Sequence, residues 1–517
     1  MPDPLPTDHT FAALPADYDE VFLVDAAGKK IRQLLWGDWL WIDPAQPDTD
    51  PDWRHIVWAP SIPEKTQHLK VRRDHTTDDR PLEVVFVDVG QGDGCVLITP
   101  ERDARERVIV IDAGKGPHMG DFLESRFGSY RKGFRFHAAV ITHPDEDHYG
   151  GFGPIFAANK GRPANQKIKF DVLYHSGLVE RAVPGTFEKV GGVSKDPTVG
   201  ESFCENLVLS DAEMRAAFAG PPGNFSYPAM IKDAIDHGGV GEFRMLSTLH
   251  GMFEDSRTWV PDFAPSSARD YSIEVLGPWT EPGGAKGQRL RRLGDYGKTK
   301  NGHSVILKLH YNDVRVIFGG DLNAPAERFL LQNYGGASSW PTEPLARETM
   351  LATARPRFRA EVLKVCHHGS SDVTDEFLEA VNPAAFVISS GDEEGHVHPR
   401  PDLLGRLGKF GRGDAPVLLS TELQRSTRDR EDAKLVADLK SNIAKQLVDA
   451  TPARQAEIDA AIDKLGGSNV DVDGAIYLKT DGKRLICAFK KEVGSATKKW
   501  FYFEYAVIDG KLVLRPR

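Results

Sequence analysis

The candidate metal ligands His143, Asp145, Asp147 and His148 fall within six residues in the run Ile141-Thr142-His143-Pro144-Asp145-Glu146-Asp147-His148-Tyr149-Gly150-Gly151. The apolar Ala138-Ala139-Val140-Ile141 ahead of it reads as the end of a buried strand. His143 and Asp145 alternate out of that strand end, whereas the adjacent Asp147 and His148 diverge in side-chain direction. A tight turn of this kind presents ligands on two sides and suits two neighbouring metals better than one. For an isolated Asp or His, a solvated surface turn is the plain alternative. The density of His-x-Asp-x-Asp-His at a strand end argues against it.

The elements that must position this run repeat one device. Phe170 to Tyr174 reads as a strand that ends in His175, as a ligand or simply as a strand-closing histidine. Val305 to Leu309 and Val314 to Phe318 read as a hairpin that runs into Gly319-Gly320-Asp321. Glu361 to Cys366 leads into His367-His368, and Ala385 to Ile388 precedes His398. Several strands thus deliver Asp or His to one edge of a sheet, and that convergence points to a dinuclear site. No Ser–His–Asp or Cys–His arrangement is evident. The Gly90-Gln91-Gly92 turn lacks the rest of a dinucleotide fingerprint.

At these residues the chain resembles the metallo-β-lactamase superfamily, whose signature is His-x-His-x-Asp-His. It is most similar to the branch typified by the soluble hydrolase domain of ComEC-type competence proteins. Val87-Asp88-Val89-Gly90-Gln91-Gly92-Asp93, Val110-Ile111-Asp112-Ala113-Gly114 and Leu363-Lys364-Val365-Cys366-His367-His368-Gly369-Ser370 match that branch in order. The resemblance implies an α/β fold, the αββα sandwich of the superfamily. It also implies two divalent metal ions, Mn or Zn with Mg possible, sharing a bridging hydroxide. His143, Asp145 and His175 would hold the first ion. Asp147, His148 and His367 would hold the second, with Asp321 bridging; His367 is taken over His368 because it comes first after the strand. Asp147 and His398 are the candidate catalytic residues, His398 as a proton donor to a leaving oxygen. Asp88, Asp93 and Asp112 are expected to orient ligands. Aspartate at 145, where the common signature has histidine, hardens the first position and shifts preference from zinc towards manganese or magnesium. This disfavours lactam or thioester hydrolysis and favours phosphodiesters.

At 517 residues the chain exceeds one ordinary domain. Three regions are expected. Residues 1–80 form a small Trp-rich β domain, an SH3-like barrel with a poorly ordered start. Residues 81–430 form the catalytic domain, with an insertion at about 178–300. Residues 431–517 form a helical pair and strands that complete or flank the sandwich. Within the insertion, Arg289, Arg291, Arg292, Lys298 and Lys300 form the best candidate for a phosphate-attracting patch, with a solvated loop as the alternative. Residues 21–80 suit a protein-docking module or a packing appendage. A net charge of −10 gives no footprint for non-specific duplex binding. The absence of a long apolar run excludes a membrane span, and the start of the chain lacks a secretory pattern. Four cysteines without paired spacing fit the cytoplasm. The expected function is hydrolysis of phosphodiesters by a metal-dependent phosphodiesterase or nuclease, with DNA as substrate. The alternatives are a hydrolase of a small nucleotide or other ester, and a metal-stabilised binding or signalling module. Oligomeric state is not readable from the sequence.

Overall fold

A computed structural model of the chain describes residues 8–15, 20–46, 49–59, 65–391, 398–421, 433–467, 474–491, 497–508 and 511–515. Two large sheets lie at its centre. The first has ten strands, in the order Val240–Met245, Ile168–His175, Phe134–Ile141, Val108–Ala113, Gly94–Ile98, Leu82–Phe86, Ile476–Thr480, Arg484–Lys490, Trp500–Ile508, Lys511–Leu514. The second has eight, in the order Met252–Glu254, Arg257–Trp259, Tyr271–Gly277, Ile306–Tyr311, Val314–Phe318, Val362–Lys364, Ala385–Ile388, Val417–Ser420.

Three apolar clusters define four layers. Leu97, Val140, Leu307, Phe318 and Leu478 belong to the core between the sheets. Val110, Phe136, Phe152 and Ile231 join the outer face of the first sheet to helices that include Phe152–Ala157 and Ser226–Asp236. Ile317, Leu330, Phe358 and Leu403 join the second sheet to Ala324–Tyr334, Pro344–Phe358 and Pro401–Phe410. Strands such as Val108–Ala113 and Ala385–Ile388 are buried at every position, as strands covered on both faces must be, and apart from Asp112 they read as apolar runs. The result is the α/β, helix–sheet–sheet–helix sandwich that the resemblance implied.

Parallel pairing decides where chemistry can sit. Val108–Ala113, Phe134–Ile141 and Ile168–His175 run parallel in the first sheet. Val314–Phe318, Val362–Lys364 and Ala385–Ile388 do so in the second. Their carboxyl ends carry Asp112, His143, Asp321 and His367-His368, in keeping with ligand sites at the carboxyl ends of parallel strands.

Three expectations are corrected here. Among the described residues the N-terminal module is a seven-stranded antiparallel sheet whose terminal strands Lys30–Gln33 and Thr76–Thr77 do not pair, so it is not the closed SH3-like barrel expected. Its start is not wholly irregular: His9–Ala12 is one of its strands, while residues 1–7 lie outside the described residues. The stretch read as an insertion at about 178–300 supplies framework as well. Val240–Met245 extends the first sheet, and Tyr271–Gly277 pairs with Ile306–Tyr311 in the second. The Gly and Pro breaks hid these strands because each is short and followed by an irregular turn.

The C-terminal strands continue the first sheet, with Ile476–Thr480 antiparallel to Leu82–Phe86. Trp500, Tyr502, Ile486 and Ala488 pack against Leu35 and Trp36 of the N-terminal module, and the Trp500 amide donates to Gln33 Oε1 (2.7 Å). Lys479 adds an ion pair to Asp38 at 3.0 Å. The aromatic run at 500–503 is therefore packing surface.

Candidate metal centre

Backbone geometry brings the strand ends together. Asp112 sits in the left-handed region (φ 54°) at a bulge in its strand, which turns its carboxylate towards the neighbouring strand end. It accepts from the Thr142 amide (2.8 Å), the Thr142 hydroxyl (2.7 Å) and His148 Nδ1 (2.8 Å). Gly92 (φ +98°) lies against the turn, and a β-carbon there would stand 1.7 Å from the Asp147 carbonyl oxygen. The Gly-Gln-Gly motif is thus a close-approach device beneath the ligand loop. His367 and His368 both adopt positive φ (50° and 53°), and such backbone strain in non-glycine residues gathers at functional sites.

One half of the cluster is assembled around His148, His368, Asp147 and Asp321. His148 Nε2 is 3.3 Å from Asp321 Oδ1, and His368 Nε2 is 3.3 Å from Asp321 Oδ2 and 3.5 Å from Asp147 Oδ2. His148 Nδ1 is engaged by Asp112, while His368 Nδ1 donates to the Ser389 carbonyl (3.3 Å) and lies 3.0 Å from Asp93 Oδ1. Holding Nδ1 in this way leaves Nε2 as the free coordinating atom. Asp93 is itself paired with the buried Lys364. His148 Nε2, His368 Nε2 and Asp321 Oδ1 are buried, close to one another, and without a hydrogen-bond partner. Buried polar atoms are almost always satisfied, so such orphans converging on one point fit a cation. A set of His148, His368, Asp321 and Asp93 atoms lies within 4.8 Å of one another.

Electrostatics agree. Burial works to raise the Asp321 carboxyl, but the imidazoles of His368, His148 and His367 hold it well below the usual range. Burial works to lower His148 and His368, yet the carboxylates of Asp321 with Asp112, and Asp321 with Asp93, push them well above an ordinary imidazole. The field that draws protons to these rings would equally draw a divalent ion.

The other half is differently furnished. His143 Nε2 lies 3.2 Å from Asp145 Oδ2 and 3.8 Å from Asp321 Oδ2, in neither case aligned for a hydrogen bond. His367 Nε2 is 3.7 Å from Asp321 Oδ2. Ser304 Oγ is within 3.2 Å of both His143 Nδ1 and the Asp321 amide, which it accepts from. Asp145 is bound by the Lys300 ammonium, and the Asn301 side-chain amide, when turned with its nitrogen towards Asp145 and the Gly297 carbonyl, donates to its Oδ2 (2.9 Å). Lys300 also pairs with Glu180 at 3.0 Å. Burial works to lower the lysine, but Asp145 and Glu180 raise it, so it stays charged.

Placement of the expected residues is therefore uneven. His143, Asp145, Asp147, His148 and Asp321 are brought together. His368, rather than the expected His367, faces Asp147 and Asp321 with its Nδ1 held, whereas His367 Nε2 approaches only Asp321 Oδ2 among the cluster carboxylates. His175 is not brought in. Its Nδ1 accepts from the Gly177 amide (3.1 Å), its charged neighbours are His250 and Glu213, and no cluster carboxylate is within ion-pair distance. Burial depresses it to about 3, so it is a neutral imidazole. The His398 ring centroid is 5.9 Å from that of His367, beside the cluster but not inside it. Sequence reasoning missed Lys364, Ser304 and Glu180, and it read Lys300 as part of a patch. That patch is largely neutralised: Arg289 pairs with Asp196, and Arg291 with Glu281 and Glu201.

Residues 94–185 match the family described as the metallo-beta-lactamase superfamily. The chain is also similar to "ComE operon protein 3" of Bacillus subtilis (strain 168), 27% identical over 107 residues, which are 20% of this chain and 11% of that protein. The chain thus spans far less than two thirds of that relative. These matches bear out the resemblance to the metallo-β-lactamase superfamily and its ComEC-type branch. A crystal structure of unliganded yeast PDE1 aligns at a TM-score of 0.30 and 9% identity, covering 66% of this chain and 97% of that one. A likeness that loose says nothing about substrate.

Proposed function

We propose that this chain is a divalent-metal-dependent phosphodiesterase that acts on nucleic acid or nucleotide diesters. The observation that carries the reading is the convergence of buried, unpartnered His148 Nε2, His368 Nε2 and Asp321 Oδ1 beside Asp147. Divalent ions there would supply Lewis-acid activation of water and neutralise charge on a phosphoryl group. The protein's part is to hold the donors ready. Asp112 fixes the His148 tautomer, Ser389 and Asp93 orient His368, and Ser304 ties His143 to the Asp321 backbone. Asp145, Asp147 and His367 are 22–29% exposed at the side chain, whereas His143, His148, His368 and Asp321 are at most 4% exposed. Substrate therefore approaches over the former three. His398, next to His367, is the proposed proton donor to the leaving oxygen.

DNA as the polymer substrate rests on the ComEC-type resemblance. A small nucleotide diester is the second reading, favoured by the pairing of Arg289 and Arg291 with carboxylates, which removes most of the local positive field a polymer would use. The proposed compartment is the cytoplasm, in keeping with four buried, unpaired cysteines. Among the described residues no helix is long and apolar enough to cross a membrane. A role for residues 21–80 in docking a protein stays a proposal, and the face bearing Leu35 and Trp36 is already occupied by the C-terminal strands.

The test is hydrolysis by purified full-length protein with Mn2+, Zn2+ or Mg2+, offered bis-nitrophenyl phosphate, single-stranded and duplex oligonucleotides, and a dinucleotide. Turnover of the synthetic diester and at least one nucleotide substrate is expected, with single strands preferred to duplex and Mn2+ to Zn2+. Folded, metal-loaded protein that cleaves none of them overturns the reading.

A further inference from the structure

Both halves of the cluster meet at Asp321, and in one of them a carboxylate proposed as a metal ligand, Asp145, is already bound by a charged protein group. Lys300 is 8% exposed and reaches Asp145 from the segment between the basic loop and the Ile306–Tyr311 strand. Its ammonium also meets Glu180 Oε1 (3.0 Å) and the Pro144 carbonyl (3.5 Å) and stands 4.9 Å from the Tyr296 ring centroid. The Tyr296 hydroxyl donates to the same Glu180 oxygen (2.6 Å), so the anchor is itself fixed. This is a built cation position within contact of a proposed metal ligand.

We infer that Lys300 is an internal cation competing with a divalent ion for Asp145, so that the site fills in two unequal steps. Asp147, His148, His368 and Asp321 would hold the first ion. His143, Asp145 and His367, with help from Asp321, would hold the second only weakly and exchangeably. The inference rests on the metal-dependent reading above. Its physical basis is short. A divalent ion on Asp145 must share that carboxylate with an ammonium held in place by Glu180, and with Lys300 and Glu180 mostly buried, salt and water screen the repulsion only in part. The device would let the protein stay assembled with one ion and become competent only where the metal is abundant.

A role in merely orienting Asp145 predicts the opposite sign, which makes the inference testable without measuring turnover. Metal-stripped full-length protein is titrated with Mn2+, and free Mn2+ is followed by its paramagnetic resonance signal. The parent is expected to bind one ion tightly and the second at least about tenfold more weakly. Lys300→Met should tighten the second step by about tenfold or more, and Lys300→Arg should preserve the gap. Glu180→Gln removes the counter-charge on the far side of the ammonium, so it should weaken the second step further. If Lys300→Met does not fold, Lys300→Arg and Glu180→Gln still carry the sign. Two equal steps in the parent, a second step unchanged or weakened in folded Lys300→Met, or one tightened in Glu180→Gln, would each overturn the inference. Failure of the parent to bind any Mn2+ strikes the metal-dependent reading itself.

Discussion

The His148–His368 half of the centre and the His143–Asp145 half are built from the same residue types, yet they are prepared for different things. In the first, every supporting contact leaves a coordinating atom bare: Asp112 takes His148 Nδ1, Ser389 takes His368 Nδ1, and the Nε2 atoms remain. In the second, Ser304 likewise engages His143 Nδ1 and leaves Nε2 bare, but Asp145 is answered by Lys300 before any ion arrives. Residue type therefore does not decide whether a carboxylate is a ligand in waiting. The polar atoms that surround it do.

Breaking the prepared half should have the largest effect. Asp321→Ala, Asp147→Ala, His148→Ala and His368→Ala are each expected to lower kcat by at least about a hundredfold, with little rescue by excess substrate. Each should also lose the tightly held ion in elemental analysis. His367→Ala should be milder and act mainly by raising the Mn2+ concentration needed. Equal losses in His367→Ala and His368→Ala would erase the distinction between the halves. One step smaller is Asp112→Asn. It weakens the hold on His148 Nδ1 and should reduce affinity for the first ion by about 10–100-fold, measured by competition with a chelator. Retention of full affinity would mean that the tautomer is set elsewhere.

What was legible in the sequence follows the same division. The buried strands announced themselves through unbroken Val and Ile runs, and the ligand loop through its density of Asp and His. Which of His367 and His368 faces Asp147 was not legible from their order after the strand, because both residues turn into the left-handed region, which no local pattern signals. Lys300 looked like one member of a charge run, since nothing local signals that its partners are Asp145 and Glu180, 155 and 120 positions away. The open N-terminal sheet was misread as a barrel because closure depends on whether the terminal strands meet, and short aromatic strands carry no record of that. His175 had the right type at the right strand end. The adjacent Gly177 amide and the His250 side chain, not the cluster, are its neighbours.

His175 also marks where the centre stops. His175→Gln should leave metal content and kcat unchanged; loss of an ion would return His175 to the ligand set. Its buried neutral ring has a pKa of about 3 against an ordinary 6.5, so the unfolded chain takes up a proton that the folded one refuses. Stability should therefore fall as pH drops from about 6.5 towards 3, and His175→Gln should remove part of that loss in acid melts.

The smallest expected effect concerns what holds Asp321 and His368 in common. Glu327 lies on the Ala324–Tyr334 helix that follows Asp321, and its Oε2 accepts from the Thr374 amide (2.5 Å), in the segment that follows His368. It bridges the two strand ends that form the prepared half. Burial raises its carboxyl to about 8 against an ordinary 4.5, with Thr374 working the other way and Asp372 adding to the rise, and its Oε1 has no hydrogen-bond partner. Because the folded pKa is the higher, the stabilisation is complete below about 4.5 and is lost as pH rises through the interval to about 8. Glu327→Gln keeps an acceptor for Thr374 and cannot ionise. Melts of parent and variant should therefore agree closely near pH 5 and separate by a few degrees above about pH 8, the variant being the more stable. The number of Mn2+ ions bound should be the same in both. Parallel melting curves across that range would show that Glu327 is ionised throughout. The bridge between the Asp321 and His368 strands would then be a charge-assisted one.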